Sequence, residues 1–151
     1  MNGRAGLLVV AVMLSAGCAL YAPHGDEVSD VRIALTDLEP EKASIAAIQW
    51  EARLEVTNPN PFDLRIEFLE VGLDVGGSRL GSGSTRGFTV GKYDSKEVKV
   101  AVSTSSFGMA SALMGVIQSK NFTYALSADV TYKTKEGPLR RHLEERGSLR
   151  R

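Results

Sequence analysis

Trp50, Ala52, Leu54 and Val56 alternate with Glu51, Arg53, Glu55 and Thr57, and this period of two is the strongest constraint on the fold. Successive side chains of a strand point to opposite faces, so the pattern describes a ribbon with one buried and one wet side. The same alternation runs through Val31, Ile33 and Leu35, through Leu64 and Ile66, through Val98–Val102, and through Phe122–Tyr132. Between the second and third of these segments the chain breaks at Thr57-Asn58-Pro59-Asn60-Pro61-Phe62. Neither proline can donate a ladder hydrogen bond, and each drives the residue before it out of the helical region. Asn58 and Asn60 can turn their side-chain oxygens onto N–H groups that a tight turn leaves unpaired.

The other elements follow from the same reading. The first strand ends near Pro40, and the second spans residues 44–56. In the third, the apolar set changes from Leu64, Ile66 and Phe68 to Leu69, Val71, Leu73 and Val75. A one-residue slip would turn the core face outward. A bulge at Phe68-Leu69, or a bend between two short strands, is therefore expected. Gly76-Gly77 and Gly81-Ser82-Gly83-Ser84 read as hairpin turns and a mobile edge strand. No helix pattern follows them, and the spacing of a phosphate-binding loop is absent.

One helix is predicted, capped by Ser105 or Ser106, with Phe107, Ala110, Leu113, Met114 and Ile117 on its apolar face. It is expected to cover an open end or face of the sheets. Phe122–Tyr132 reads as a long central strand turned back by Lys135-Glu136-Gly137-Pro138. Leu139 and Leu143 are spaced for a helix, but a tight turn after a long strand favours a partner strand. Short strands at regular spacing with Gly and Pro turns predict an all-β fold. Its form is an antiparallel β-sandwich of about seven strands, immunoglobulin- or fibronectin III-like, with one short α-helix.

Residues 28–151 resemble the late embryogenesis abundant (LEA) type 2 family, also called the water stress and hypersensitive response domain. The carriers are Val56-Thr57-Asn58-Pro59-Asn60-Pro61-Phe62, the Gly76-Gly77 turn, the Val98–Val102 strand, the short helix and the closing Gly147-Ser148-Leu149. The resemblance implies the position of the helix, makes Asn58, Pro59 and Asn60 the family's turn motif, and brings a role in stress protection as an expectation.

The first residues carry an address. Arg4 precedes the apolar run Leu7–Leu14, followed by Ser15-Ala16-Gly17-Cys18. These are the parts of a secretory signal, and the run is shorter than the ~20 residues of a spanning helix. Cys18, the one cysteine, resembles the acylated residue of a bacterial lipobox, with Ser15 where leucine is usual. The alternative is ordinary signal cleavage that leaves Cys18 as a free thiol. On the lipoprotein reading residues 1–17 are the signal peptide, 18–27 the lipidated N-terminus and tether, and 28–151 the sandwich domain. Its partner is the membrane, reached through N-terminal acyl groups such as palmitate. The expected location is the cell envelope, and in a Gram-negative source Ala19 after the cysteine would, by resemblance to such lipoproteins, direct the chain to the periplasmic face of the outer membrane.

Chemistry is sparse. Eighteen basic and eighteen acidic residues balance, which points away from nucleic acid. A single cysteine cannot form an internal disulfide, and His24 and His142 form no metal-binding pair, so neither metal nor cofactor is expected. Glu51, Glu55, Glu67 and Glu70 fall on the wet faces of strands instead of pairing in a cleft, which argues against an enzyme. Trp50 reads as core, with ligand contact as the alternative, and Met109 and Met114 read as core filling or a binding lip. Arg140, Arg141, Arg146, Arg150 and Arg151 make a basic end that is either solvated or set against anionic headgroups or glycans. Three functions remain: a tethered, non-enzymatic protector or support of the cell envelope; a carrier of lipid or another apolar ligand, lined by Phe107, Leu113, Met114 and Ile117; and a scaffold subunit of an envelope complex using an exposed strand edge.

Overall fold

The computed structural model describes residues 22–44, 47–104 and 107–150, with backbone alone for 107–112. Seven antiparallel strands form one curled sheet: β1 (Arg32–Ala43), β2 (Ile48–Thr57), β3 (Leu64–Val75), β4 (Ser78–Val90), β5 (Ser95–Thr104), β6 (Asn121–Thr134) and β7 (Gly137–Arg150). Their order is β1-β2-β5-β4-β3-β6-β7. One helix, α1 (Phe107–Gln118), lies between β5 and β6. The sheet folds on itself, so the inward sets of all seven strands share one core. The all-β class thus follows the period-two reading, and β7 is the partner strand expected after the tight turn, not the helix that the Leu139–Leu143 spacing would suit.

The alternation sets the core almost residue by residue. Every even position from Ile48 to Val56 and from Phe122 to Thr134 is buried. Trp50 is fully buried, and its indole N–H donates to Thr104 Oγ1 at 2.9 Å, whose hydroxyl donates to the Leu80 carbonyl at 2.6 Å. Core packing is therefore its place.

Three details depart from expectation. The first strand continues through Pro40 to Ala43, because β1 is an edge strand where a missing N–H costs no ladder bond. Its register shifts between Leu35 and Asp37 and between Pro40 and Lys42. In β3 the shift against β6 falls between Ile66 and Phe68, one step before the predicted place. Phe68 is therefore half-buried instead of core, with the Arg86 guanidinium 5.7 Å from its ring centre.

The third departure is the glycine-rich segment. Gly76 and Gly77 do form the β3–β4 turn, at φ +57° and +83°. Gly81 and Gly83, however, lie inside β4, which is an interior strand. The β4–β5 register contains the single pair Ser82↔Ser103, and both glycines press against the β5 backbone there. A loose edge would not need glycine at two alternate positions. A close crossing does.

Candidate functional site

The Asn-Pro-Asn segment sits at one end of the sandwich, where the β2–β3, β4–β5 and β6–β7 connections gather. Asn58 and Asn60 are both buried. The Asn58 amide donates to the carbonyls of Phe62 at 2.8 Å and of Val90 and Gly91 at 3.1 Å. Its oxygen accepts from the backbone N–H of Asn60 at 3.0 Å and from the Asn60 amide at 2.9 Å. Asn60 then exchanges two bonds of 2.8 Å with the backbone of Ser29. The turn satisfies its own Asn60 N–H as expected, and it also ties together three separate stretches of chain.

Residues 22–31 lie along this same end. Lys135 N–H donates to the Pro23 carbonyl at 2.9 Å, and Gly25 N–H to Glu136 Oε2 at 3.0 Å. His24 Nδ1 lies 2.6 Å from Glu136 Oε1. The His24 contact, aided by the Gly25 N–H, holds the Glu136 carboxyl down to about 2. A shallow cleft of about 630 Å³ between His24 and Leu139 marks the junction.

The two outer strands meet along a seam closed by side chains. Val31 N–H donates to Tyr132 Oη at 3.1 Å, Ile33 N–H to Glu145 Oε1 at 3.3 Å, and Leu35 N–H to Tyr124 Oη at 3.0 Å. These are alternate donors of an edge strand, and capping them removes a template for strand addition. Gly147 makes the last bond reachable, since a Cβ there would lie 2.6 Å from Tyr124 Oη. Burial pushes the Tyr132 hydroxyl up to about 12, against the Val31 N–H, which favours the phenolate. A raised phenol contributes stability that is complete below its ordinary pKa near 10 and lost as pH rises through about 12. Tyr132→Phe leaves Val31 N–H without its acceptor, so we expect a loss of about 1–2 kcal/mol at neutral pH. Denaturant titrations at pH 7 and 11 check both points, because the variant should lose less stability between them than the parent.

At the opposite end, α1 leans on the core through buried Leu113 and Ile117 and half-buried Met114. Phe107 and Met109 have side chains outside the described residues, as are Ser105, Ser106, Arg151 and Cys18 with its signal segment. Lys120, at φ +52°, ends the helix and reaches Glu39 at 3.1 Å and the buried Asp37 at 3.6 Å. The lining residues Leu113, Met114 and Ile117 belong to the core packing, and the cleft between Asp74 and Arg146 lies on the outer face of the sheet. Glu51 is bonded to Arg53 and Lys99, which in that order hold its carboxyl below the usual range, while Glu55, Glu67 and Glu70 are exposed. Among the described residues there is no cluster of potential metal ligands, and no helix is long and apolar enough to cross a membrane.

The family model for late embryogenesis abundant protein, LEA type 2, matches residues 53–147. The chain belongs to that family. No curated protein matches it in sequence. Among solved structures it is similar to a solution structure from Arabidopsis thaliana, with TM-score 0.57, 16% identity and coverage of 83% of this chain and 86% of that one. A second solution structure, described as that of a late embryogenesis abundant (LEA) protein, gives TM-score 0.51 and 15% identity, covering 82% and 72%. At such identities the likeness is one of fold.

One feature of this LEA type 2 domain escaped the sequence reading. Tyr93, in the β4–β5 connection, is 71% exposed and holds φ +52°. Its N–H donates to the Asn60 carbonyl at 3.1 Å, and the neighbouring Lys92 N–H donates to Asp63 Oδ1 at 3.0 Å, so the loop is fixed. Lys120 shares this backbone conformation but gains ion pairs from it, whereas the Tyr93 ring stands in water. We expect Tyr93→Gly to stabilise the domain by about 0.5–1 kcal/mol by relieving the left-handed strain. Thermal melts of the two proteins check the sign. No periodicity flags a lone tyrosine in a turn.

Proposed function

We propose that this LEA type 2 chain is a non-enzymatic lipoprotein of the cell envelope, acylated at Cys18 and supporting or protecting envelope components under drying or similar stress. The observation that carries the reading is the boundary Ala16-Gly17-Cys18 followed so soon by a packed domain, with Pro23 already hydrogen-bonded to the β6–β7 turn. Acyl chains supply the attachment, since each buried methylene contributes ~0.8 kcal/mol and a single chain holds only marginally. Family membership supports the protective role, and a Gram-negative source with Ala19 would place the body on the periplasmic side of the outer membrane.

Among the described residues, the close packing of the core weighs against the carrier reading. Trp50, Leu54, Leu64, Leu69 and Tyr132 leave no measurable surface to solvent, and the two clefts described above are superficial. The capped N–H groups of Val31, just before β1, and of Ile33 and Leu35 within it weigh against a scaffold that recruits partners along the start of that edge.

Cell fractionation of the Cys18→Ala variant tests the anchor: the protein should leave the membrane fraction, and unchanged membrane association would overturn it. Survival of a deletion strain after drying, freezing and detergent challenge tests the protective part, which equal survival would remove. Lipid co-purifying in stoichiometric amount with the domain would favour the carrier instead.

A further inference from the structure

We infer that the end of the sandwich bearing the Asn-Pro-Asn turn rests on the lipid bilayer, with the Tyr93 ring set into its headgroup layer. The inference rests on the anchor reading and adds an orientation and a contact surface to it. Its first ground is the reach of the chain. Because Pro23, His24 and Gly25 are bonded to Lys135 and Glu136, only Ala19, Leu20 and Tyr21 separate Cys18 from Ala22 and the docked segment. At about 3.5 Å per residue that stretch spans at most about 14 Å, so the lipidated cysteine keeps this end close to the membrane surface.

The second ground is the backbone around Tyr93. The β2–β3, β4–β5 and β6–β7 connections share this end, and hydrogen bonds link Tyr93 to Asn60 and Asn60 to Ser29. A large aromatic side chain, 71% exposed on a left-handed residue, gives the fold neither buried area nor relaxed geometry. At a membrane interface a tyrosine gains on both counts of its chemistry, because the ring leaves water while the hydroxyl stays hydrated. Charge contributes little. Lys92, Lys133 and Lys135 at this end stand beside Asp26, Glu27, Asp63, Asp94 and Glu136, so the contact should not depend on anionic lipid. Helix α1 then faces away, since β6 runs for 14 residues, about 45 Å at ~3.3 Å each.

Nitroxide labels on the full-length, acylated protein in phosphatidylethanolamine–phosphatidylglycerol vesicles test this, one carried by Tyr93→Cys and one by Val116→Cys on α1. The ratio of collisions with oxygen to collisions with a water-soluble nickel chelate should be at least fivefold higher at position 93, and should change little when phosphatidylglycerol is omitted. Equal ratios on a protein whose Cys18 is acylated by mass spectrometry would overturn the orientation and leave the anchor standing. An unacylated Cys18 would overturn the anchor and the orientation with it.

Discussion

Asn58→Ala should cost the domain about 4 kcal/mol, the largest loss expected from truncating any polar side chain here. The substitution strips a donor from the carbonyls of Phe62, Val90 and Gly91 and an acceptor from both nitrogens of Asn60. The bonds to Val90 and to both Asn60 nitrogens are buried and the other two part-buried, and a buried polar group left without a partner costs ~1–3 kcal/mol. Against a total stability of about 5–15 kcal/mol, such a loss leaves a marginal fold. Asn58→Asp separates chemistry from shape. It keeps the volume and replaces the amide donors with carboxylate oxygen facing three carbonyls. That carboxyl is pushed above its ordinary pKa, so the variant keeps most of its stability below the unfolded value, about 3.9, and loses it as pH rises. Urea titrations of parent, Asn58→Ala and Asn58→Asp at pH 3.5 and pH 7 decide the matter. The knot is not supporting the fold if Asn58→Ala melts with the parent, or if Asn58→Asp shows no gain on acidification relative to it.

The fold was legible because most strands are half-buried, and a half-buried strand writes its geometry in the sequence. Trp50 to Val56 and Phe122 to Tyr132 needed nothing beyond alternation. What alternation does not carry is the partner across the gap. Nothing local tells Asn60 that it will meet Ser29, or Tyr124 that it will cross Gly147 to reach Leu35, because those contacts join residues that are far apart along the chain. Local rules describe the asparagines as turn formers, whereas their partners in space make them the tie between β1, the β2–β3 connection and the β4–β5 connection. The displaced bulge has the same origin. The change from even to odd apolar positions was visible between Ile66 and Leu69, but whether Phe68 faced in or out depended on its pairing with Thr131. The candidate site was less legible than the fold, since Tyr93 owes its meaning to a backbone angle and to its place at the same end as the docked residues 23–25.

Gly83→Val should be as damaging as loss of the asparagine knot, at about 3–4 kcal/mol, and for a steric reason instead of a polar one. A Cβ at Gly83 would fall 2.0 Å from the Ala101 carbonyl oxygen, and one at Gly81 would fall 2.1 Å from that of Ser103. Both obstacles are backbone of β5, which cannot swing aside as the end of a side chain can. Relief therefore requires β4 and β5 to part at Ser82↔Ser103, their one registered pair. Parting also strains the path from Leu80 through Thr104 to the indole of Trp50, so fluorescence of this single tryptophan should shift to longer wavelength in the native state. Once the strands have separated, the second glycine meets less resistance. The Gly81→Val/Gly83→Val double variant should accordingly cost less than the sum of its parts. Gly76→Ala is the control: nothing lies within 4 Å of its added carbon, and only the positive φ resists, at about 1 kcal/mol. Equal losses for Gly76→Ala and Gly83→Ala, with Trp50 emission unmoved in both, would mean that the crossing of β4 over β5 is not tight. A strictly additive double variant would mean that the two contacts are independent, and that β4 and β5 do not separate as a unit.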